Sequence, residues 1–210
     1  ANGINEASSL AVRRAAVFDL LDIPQAINHL AGSRWCAEND DVWANMSLYR
    51  DTYGDGLWRC IPFDMNASWG QLYGGSNPLE ATADWSKSHP LYGGSSTGGN
   101  FNRLYDVIVT LPETRQMLLR RERSILDRMV QPPGTPAEAL VLENYIRSMS
   151  NLISIEANLD RAKWGASPWA PGKTFAQGIS DLLNQFVGPR RQHWCVAHCV
   201  TNTSKPIGTG

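Results

Sequence analysis

The sequence predicts a mainly α-helical domain that contains one small β-hairpin. Apolar residues recur at helical spacing over residues 6–35 and again after residue 101. Two short strand-like runs flank an Asp-Gly turn between residues 46 and 63. A chain of 210 residues is also long enough to bury about 70% of its unfolded surface. We therefore expect one domain over residues 1–200, followed by a polar tail over residues 201–210.

Two helices are predicted before the hairpin. The first covers residues 6–20. The second begins after Asp22, which suits an N-cap, and Pro24 suits its first turn. Its apolar residues form an irregular stripe that ends at Trp35, so the helix is expected to end shortly before Asp40.

The hairpin is predicted from the runs MSLYR (46–50) and LWRCIPF (57–63). The linker DTYGDG between them contains Asp-Gly, a strong turn dipeptide. Antiparallel pairing brings the open ends of a hairpin together. Asn45 and Asp64 stand at those two ends, so we expect them to lie close to each other. We assign the catalytic loop and hairpin together to residues 38–70.

Residues 68–100 are predicted to form a long loop, because they are rich in Gly, Ser and Asn and lack periodicity. The run YGGSSTGGN (92–100) lacks the Gly-Lys-Ser/Thr ending of a phosphate-binding loop, so we interpret it as flexible loop. Beyond it, residues 101–197 are predicted to be helical.

Four helices are predicted in that last part: 101–110, 113–130, one that begins at Thr135 and a last one over 175–197. Thr135 suits an N-cap and Pro136 the first helical position. The apolar residues of the third helix predict a stripe that faces the core. These residues are Leu140, Val141, Tyr145, Met149, Leu152 and Leu159.

Charge and hydropathy narrow the class of partner. The formal net charge of −1 gives no electrostatic reason to expect binding to nucleic acid or to an anionic membrane. No apolar run approaches the roughly 20 residues that span a bilayer. The start, ANGINEASSL, has neither an initiator Met nor the regions of a signal peptide, so we expect a processed chain or an excised piece.

The four cysteines are Cys36, Cys60, Cys195 and Cys199. The first two flank the hairpin segment and are able to bridge it. We interpret the four as buried thiols or ordinary disulfides. The run HWCVAHC places two His and two Cys close together, but it has no C-x2-C pair, which disfavours a zinc site.

Three polar residues around the hairpin match the chemistry of phosphoryl transfer from ATP. That reaction needs a carboxylate that accepts the proton of the attacking hydroxyl, and an amide oxygen and a second carboxylate that hold divalent metal. Asp40 and Asn45 have the Asp-x4-Asn spacing of protein kinases, and Asp64 follows the hairpin where the metal-holding Asp is expected. Asp41 offers a competing register with a shorter gap. The simpler alternative is that these residues cap turns.

The stretch NDDVWANMSLYRD…GLWRCIPFDMNASWG resembles the core motif of the CotH family of atypical, secreted protein kinases. The runs NRLYDVIVTLPETRQMLLRRE and FVGPRRQHW also resemble the C-terminal part of that family, so the resemblance spans most of residues 20–200. The motif positions that match are Asn45, Tyr49, Arg50, Pro62, Phe63, Asp64, Asn66, Trp69 and Gly70.

The resemblance implies the large, C-terminal lobe of a protein-kinase-like fold. It implies that Asp40 is the catalytic residue and that Asn45 and Asp64 bind the cofactor, ATP with Mg²⁺ or Mn²⁺. Asn66 stands where many members have Asp, which makes it a third metal ligand. The implied reaction is transfer of the γ-phosphate to Ser or Thr of a protein substrate, at a cell surface, in a spore coat or outside the cell.

The chain departs from a complete kinase in one respect. A kinase also needs a small lobe with a lysine that pairs with the phosphates. No lysine precedes Asp40, and the residues before it look helical. We expect the small lobe to be absent or carried on another piece of the polypeptide, and the isolated chain to bind ATP feebly and to transfer phosphate poorly.

Two other function classes remain open. The first is a catalytically inactive, extracellular kinase-like module that acts as an adhesin or scaffold. The second is metal-dependent hydrolysis through Asn45 and Asp64, which is disfavoured because no His joins them. Metal-dependent nucleotide binding separates the kinase from the adhesin. A serine hydrolase is disfavoured too, because the sequence contains no Gly-x-Ser-x-Gly.

Overall fold

The computed structural model describes residues 4, 7–38, 45–71, 78–82, 103–165 and 172–197. Over those ranges the chain forms eight α-helices and one two-stranded antiparallel sheet, which confirms a mainly helical fold with a small hairpin. The elements are α1 (Leu10–Leu20), α2 (Ile23–Cys36), β1 (Met46–Arg50), β2 (Trp58–Pro62), α3 (Arg103–Thr110), α4 (Pro112–Ile125), α5 (Val141–Leu152), α6 (Ser154–Trp164), α7 (Phe175–Asp181) and α8 (Gly188–Ala197).

The two N-terminal helices follow their capping residues. Ser9 caps α1 by accepting a hydrogen bond from Val12 N, so this helix begins at Leu10, later than the predicted residue 6. Asp22 caps α2 as predicted, because its Oδ1 accepts from Gln25 N at 3.1 Å. At its other end α2 stops at Ala37, whose φ of 51° is left-handed.

The hairpin forms with the predicted pairing. Met46 lies opposite Pro62 and Arg50 opposite Trp58, and the second strand is one residue shorter at each end than the predicted 57–63. Asp51 Oδ1 orders the turn, since it accepts hydrogen bonds from the backbone N–H groups of Tyr53 and Gly54 at 3.0 Å.

The first turn of α2 holds the outer edge of β2. The Gln25 side chain donates to Cys60 O at 2.5 Å and accepts from Cys60 N at 3.0 Å, which imitates the two bonds of a neighbouring strand. Asp22 adds a backbone bond to Trp58 O and an ion pair with Arg59, both at 3.0 Å. The position of the hairpin on α2 is therefore fixed by several directional contacts.

The C-terminal helices continue through π-helical turns. Leu126–Val130 extends α4, so the segment ends at the predicted residue 130. Leu182–Val187 joins α7 to α8 in the same way, and the predicted helix over 175–197 is one run of helical backbone.

The predicted start of the third C-terminal helix is wrong. Thr135 does not cap a helix, because its hydroxyl donates to Pro132 O at 2.8 Å and closes a turn. Pro136 precedes a short 3₁₀ turn over Ala137–Ala139, and α5 begins only at Val141. The helical segment also bends at Ile153, between α5 and α6.

The predicted core-facing stripe of that helix is wrong as well. Val141, Tyr145, Leu152 and Leu159 are 50%, 61%, 73% and 66% exposed. The core is contacted by a different face, on which Leu142 is buried and Ile146 partly buried.

Two apolar cores meet at α2. The first joins α1, the N-terminal part of α2, β2, α3 and α4 around Leu30 and Tyr105. The second joins the end of α2 to the π-helical turns, α5 and α8 around Trp35, Phe186 and Trp194. Because α2 contributes to both cores, it is packed along most of its length.

The cysteines that the structure describes form no bridge. Cys36, Cys60 and Cys195 carry thiols and form no disulfide, whereas Cys199 lies outside the described residues. The described part of the chain contains no group of three or more His, Cys, Asp or Glu suited to a metal ion. Within the same ranges, no helix has both the length and the apolar character that crossing a membrane requires.

Candidate functional site

Asn45 and Asp64 meet at the open end of the hairpin, as the sequence predicts. The backbone N–H of Phe63 donates to Asn45 O, and the Asn45 side chain donates through Nδ2 to Asp64 O, both at 3.1 Å. A carbonyl oxygen only accepts hydrogen bonds, so the amide must turn Nδ2 toward it. The buried amide can therefore approach a cation only through Oδ1.

Asp64 and Asn66 are exposed at the start of the segment that follows β2. Asp64 has a φ of 50°, in the left-handed region that few residues other than glycine adopt. Both side chains carry oxygen atoms that are accessible to a ligand, in contrast to the buried Asn45.

Strained backbone is concentrated around this site. Among the described residues, four non-glycine residues have positive φ, and three of them are Ala37, Asp64 and Trp69. Ala37 ends α2, and the other two lie in the segment after β2. Such conformations cost about 1–3 kcal/mol each and occur often at functional sites. Their grouping here supports a functional role for the surface between α2 and the hairpin.

The segment from Asp64 to Gly70 is fastened at its far end. Trp69 N donates to Cys36 O at 2.6 Å, which joins this segment to the last turn of α2. The Trp69 ring packs edge-on against Phe186 with the centroids 5.8 Å apart. Gly70 adopts a φ of 76°, and a Cβ there would lie 2.7 Å from the Phe186 ring. Glycine is required at this point by both the backbone conformation and the close approach.

Arg190 connects the end of α2 to the later part of the chain. It is fully buried and donates to Arg34 O at 2.6 Å, to Ala81 O at 3.0 Å and to Trp35 O at 3.2 Å. Two of those carbonyls belong to the last turns of α2, which precede the expected catalytic loop. The sequence prediction gave Arg190 no role, although an arginine four residues after Phe186 falls on the apolar face of its helix.

A buried carboxyl group on α4 contacts the same helix. Glu122 on α4 is fully buried and pairs with the guanidinium of Arg34 through Oε1. Its other oxygen, Oε2, has no hydrogen-bond partner among the described residues. Burial raises the pKa of Glu122, and the positive charge of Arg34 opposes that rise.

Asp40, the predicted catalytic residue, and the competing Asp41 lie outside the described residues. The structure therefore does not test whether Asp40 joins Asn45 and Asp64. Of the four predicted site residues it brings Asn45 against the backbone of Asp64, and it places Asn66 two residues further along an exposed segment. The metal-binding roles of these residues remain predictions.

The donor atoms of the site fit a hard divalent cation. Asn45, Asp64 and Asn66 offer only oxygen atoms, the ligands that Mg²⁺ and Mn²⁺ prefer. One carboxylate and two amides are too few for a cage made of protein alone. They suit an ion that is held by one or two carboxylates together with substrate phosphates.

A family model described as CotH kinase protein matches residues 2–194 of this chain. No protein with a curated description matches it. The matched region contains the hairpin and all four predicted site residues, Asp40, Asn45, Asp64 and Asn66.

Proposed function

This chain belongs to the CotH kinase protein family, and we propose that it forms the large lobe of a protein kinase. The proposed reaction moves the γ-phosphate of ATP to a Ser or Thr hydroxyl of a protein substrate. As the family resemblance implies, we place this activity outside the cell, at a cell surface or in a spore coat.

Each predicted site residue has a role in the proposed reaction. Asp40 accepts the proton of the attacking hydroxyl. Asp64, together with Asn45 and Asn66, holds a Mg²⁺ or Mn²⁺ ion, which neutralises charge on the phosphates when it is bound. The hydrogen bond from Asn45 Nδ2 to the backbone oxygen of Asp64 fixes the spacing between the two ends of the hairpin and positions the backbone that carries the metal-binding carboxylate.

The observation that best supports this proposal is the hydrogen bond across the open end of the hairpin, in which Asn45 Nδ2 lies 3.1 Å from the backbone oxygen of Asp64. It occurs in a chain that belongs to a kinase family. Hairpin pairing brings the two residues together, and the side-chain hydrogen bond additionally fixes the orientation of the Asn45 amide. We expect residues 1–210 to act weakly by themselves, because none of the four lysines precedes Asp40 to pair with the phosphates.

The test is transfer of radiolabelled γ-phosphate from ATP to casein. It is measured with residues 1–210 and with the natural polypeptide that contains them, in Mg²⁺, in Mn²⁺ and in EDTA. Asp40→Ala is expected to lower the rate at least about 100-fold while Mg²⁺-dependent ATP binding persists, because the lost group acts on the hydroxyl proton. Asp64→Ala is expected to abolish both transfer and metal-dependent binding.

Asp41→Ala is the matched control, because it removes the neighbouring carboxylate in the competing register. If Asp41→Ala lost all transfer while Asp40→Ala kept full activity, Asp41 would be the catalytic residue and the role proposed for Asp40 would be wrong. ATP binding that is absent or indifferent to EDTA in every form of the protein would refute the kinase proposal. That result is the one expected of a catalytically inactive adhesin or scaffold.

A further inference from the structure

The outer face of α5 and α6 carries an apolar stripe with coiled-coil spacing. Successive members alternate four and three residues apart, the seam spacing of helices that pack against another helix. We call this set the outer stripe. Five members are apolar, Val141, Tyr145, Leu152, Ile155 and Leu159, and the sixth, Ser148, is polar.

The outer stripe is continuous across the bend between the two helices. Ile153 N donates to Met149 O at 3.1 Å, and Ala157 N donates to Ile153 O at 2.9 Å. The first bond closes α5 and the second opens α6, so Ile153 caps both helices although its own backbone (φ −99°, ψ 6°) is not α-helical. The stripe therefore runs along two consecutive helices, from Val141 to Trp164, with the bend at Ile153 between them.

The outer stripe points away from the core of its own chain. Leu142 and Glu143 are buried on the opposite face of α5, and Ile146 packs against the second core. Tyr145 is 61% exposed and Ile155 is 71% exposed. An apolar helix face directed at solvent indicates that something else covers it.

The area of the stripe is close to what a stable dimer needs. If a large side chain has a whole area of about 150–250 Å², the exposed fractions of the five apolar members leave on the order of 600 Å² of surface along the stripe. The largest apolar patch on a typical monomer is about 300–600 Å². A standard interface buries about 800 Å² on each partner.

Three asparagines border the stripe and favour a second copy of the same chain. Asn144, Asn151 and Asn158 follow one another at seven-residue intervals along one edge. A row of neutral amides avoids like-charge repulsion when it meets itself. The Nδ2 groups of Asn144 and Asn158 donate to backbone carbonyls of their own chain, and each amide oxygen remains an acceptor. A partner of a different kind is usually selected by opposite charges at such flanking positions, and this edge carries none.

We propose that two copies of this chain associate through the outer stripe, with the helices antiparallel about a two-fold axis near Asn151. In this register Val141 faces Leu159 of the other copy and Tyr145 faces Ile155. Ser148 faces Leu152 close to the axis. Each copy supplies the same patch, as two-fold symmetry requires.

The same register pairs the flanking asparagines. Asn151 meets its own copy on the axis, and Asn144 meets Asn158 of the other copy. A residue next to a two-fold axis contacts the same residue of the other copy, so substitutions of Asn151 test the proposed axis directly.

The first experiment is sedimentation of the full chain at about 1 and about 100 µM, which brackets dimers of micromolar affinity. We expect twice the chain mass of 23.2 kDa at the higher concentration. Leu152→Glu is expected to weaken self-association at least about tenfold. It should not change the thermal midpoint at a concentration where both forms are monomeric, because the side chain is exposed in the single chain. Leu10→Glu, at a 58% exposed position on α1, is the control and should leave the dimer intact. A chain that stays monomeric at the higher concentration overturns the proposal.

The second experiment tests the axis. Asn151→Asp and Asn151→Lys each place like charges against each other, so each variant alone should be monomeric. An equimolar mixture of the two should restore dimers, because opposite charges then meet. A mixture that stays monomeric, or a single variant that dimerises as well as the unchanged chain, refutes an antiparallel dimer with Asn151 on its axis.

Discussion

The backbone N–H of Trp69 donates to the carbonyl oxygen of Cys36 at 2.6 Å, which fastens the segment after Asp64 to the last turn of α2. Cys36 lies four residues before Asp40 in the chain. The two elements that adjoin the proposed catalytic and metal-binding aspartates are therefore joined to each other. The proposed site depends on this junction, and the residues that support it can be tested separately.

Asn45→Asp is expected to lower the free energy of unfolding by about 1–3 kcal/mol. The substitution replaces the Nδ2 donor by a carboxylate oxygen, which then faces the acceptor Asp64 O without a proton to share. Urea unfolding measures the loss. Asn66→Asp is the matched control, because the same change at an exposed residue should stay within about 0.5 kcal/mol. Equal effects at the two positions would show that the hydrogen bond contributes nothing.

Capping and turn residues predicted the secondary structure correctly where neighbouring residues alone determine it. Asp22 and Pro24 mark the start of α2, and the two strand-like runs on either side of the Asp-Gly linker pair as the hairpin. Thr135 carried the same kind of capping signal, but its hydroxyl closes a turn onto Pro132. A capping residue predicts that a helix is able to start, and competing local bonds decide whether it does.

Features that depend on distant partners were not predictable. Helical periodicity identified Tyr145 and Leu152 as one apolar face, but it holds no information on what covers that face. Arg190 binds the carbonyl of Trp35, which lies 155 residues earlier in the chain. At the site, the approach of Asn45 to Asp64 followed from hairpin pairing. The convergence of Asp40 on them remains a prediction.

Gly70→Ala is expected to lower the free energy of unfolding by about 2–5 kcal/mol. A left-handed alanine costs about 1–2 kcal/mol, and overpacking adds about 1–3 kcal/mol. The new methyl group would lie 2.7 Å from the Phe186 ring and 2.8 Å from the backbone nitrogen of Glu80. Urea unfolding again provides the measurement.

Gly134→Ala separates the two contributions at Gly70. Gly134 has a φ of 86°, but no atom lies within 4 Å of the point that an alanine methyl group would occupy. Only the conformational cost of about 1–2 kcal/mol is therefore expected. If both alanine variants lose the same stability, the close contact of Gly70 with Phe186 does not matter.

Arg190→Lys is expected to cost about 3 kcal/mol or more of unfolding free energy. An ammonium group has no planar fork and cannot donate at once to the separate carbonyls of Arg34, Trp35 and Ala81. At least one buried carbonyl is then left without its donor. Arg115→Lys, at an exposed arginine, should change stability by less than about 0.5 kcal/mol. Denaturant unfolding of both variants measures the two losses. A small loss of stability in Arg190→Lys would show that the three hydrogen bonds of Arg190 do not stabilise the fold.

Glu122 should make the chain less stable as the pH rises. Burial raises the pKa of Glu122 above its ordinary value of 4.5, so the folded state retains a proton that the unfolded state releases. The stabilising effect of that proton is complete below pH 4.5 and is lost as the pH rises through the raised pKa of the folded state. Unfolding free energies measured from pH 4.5 upward should decline more steeply in the unchanged chain than in Glu122→Gln, which cannot titrate. Glu138→Gln removes an exposed carboxylate and should retain the decline. Parallel profiles for the unchanged chain and Glu122→Gln would show that Glu122 does not hold a proton in the folded state.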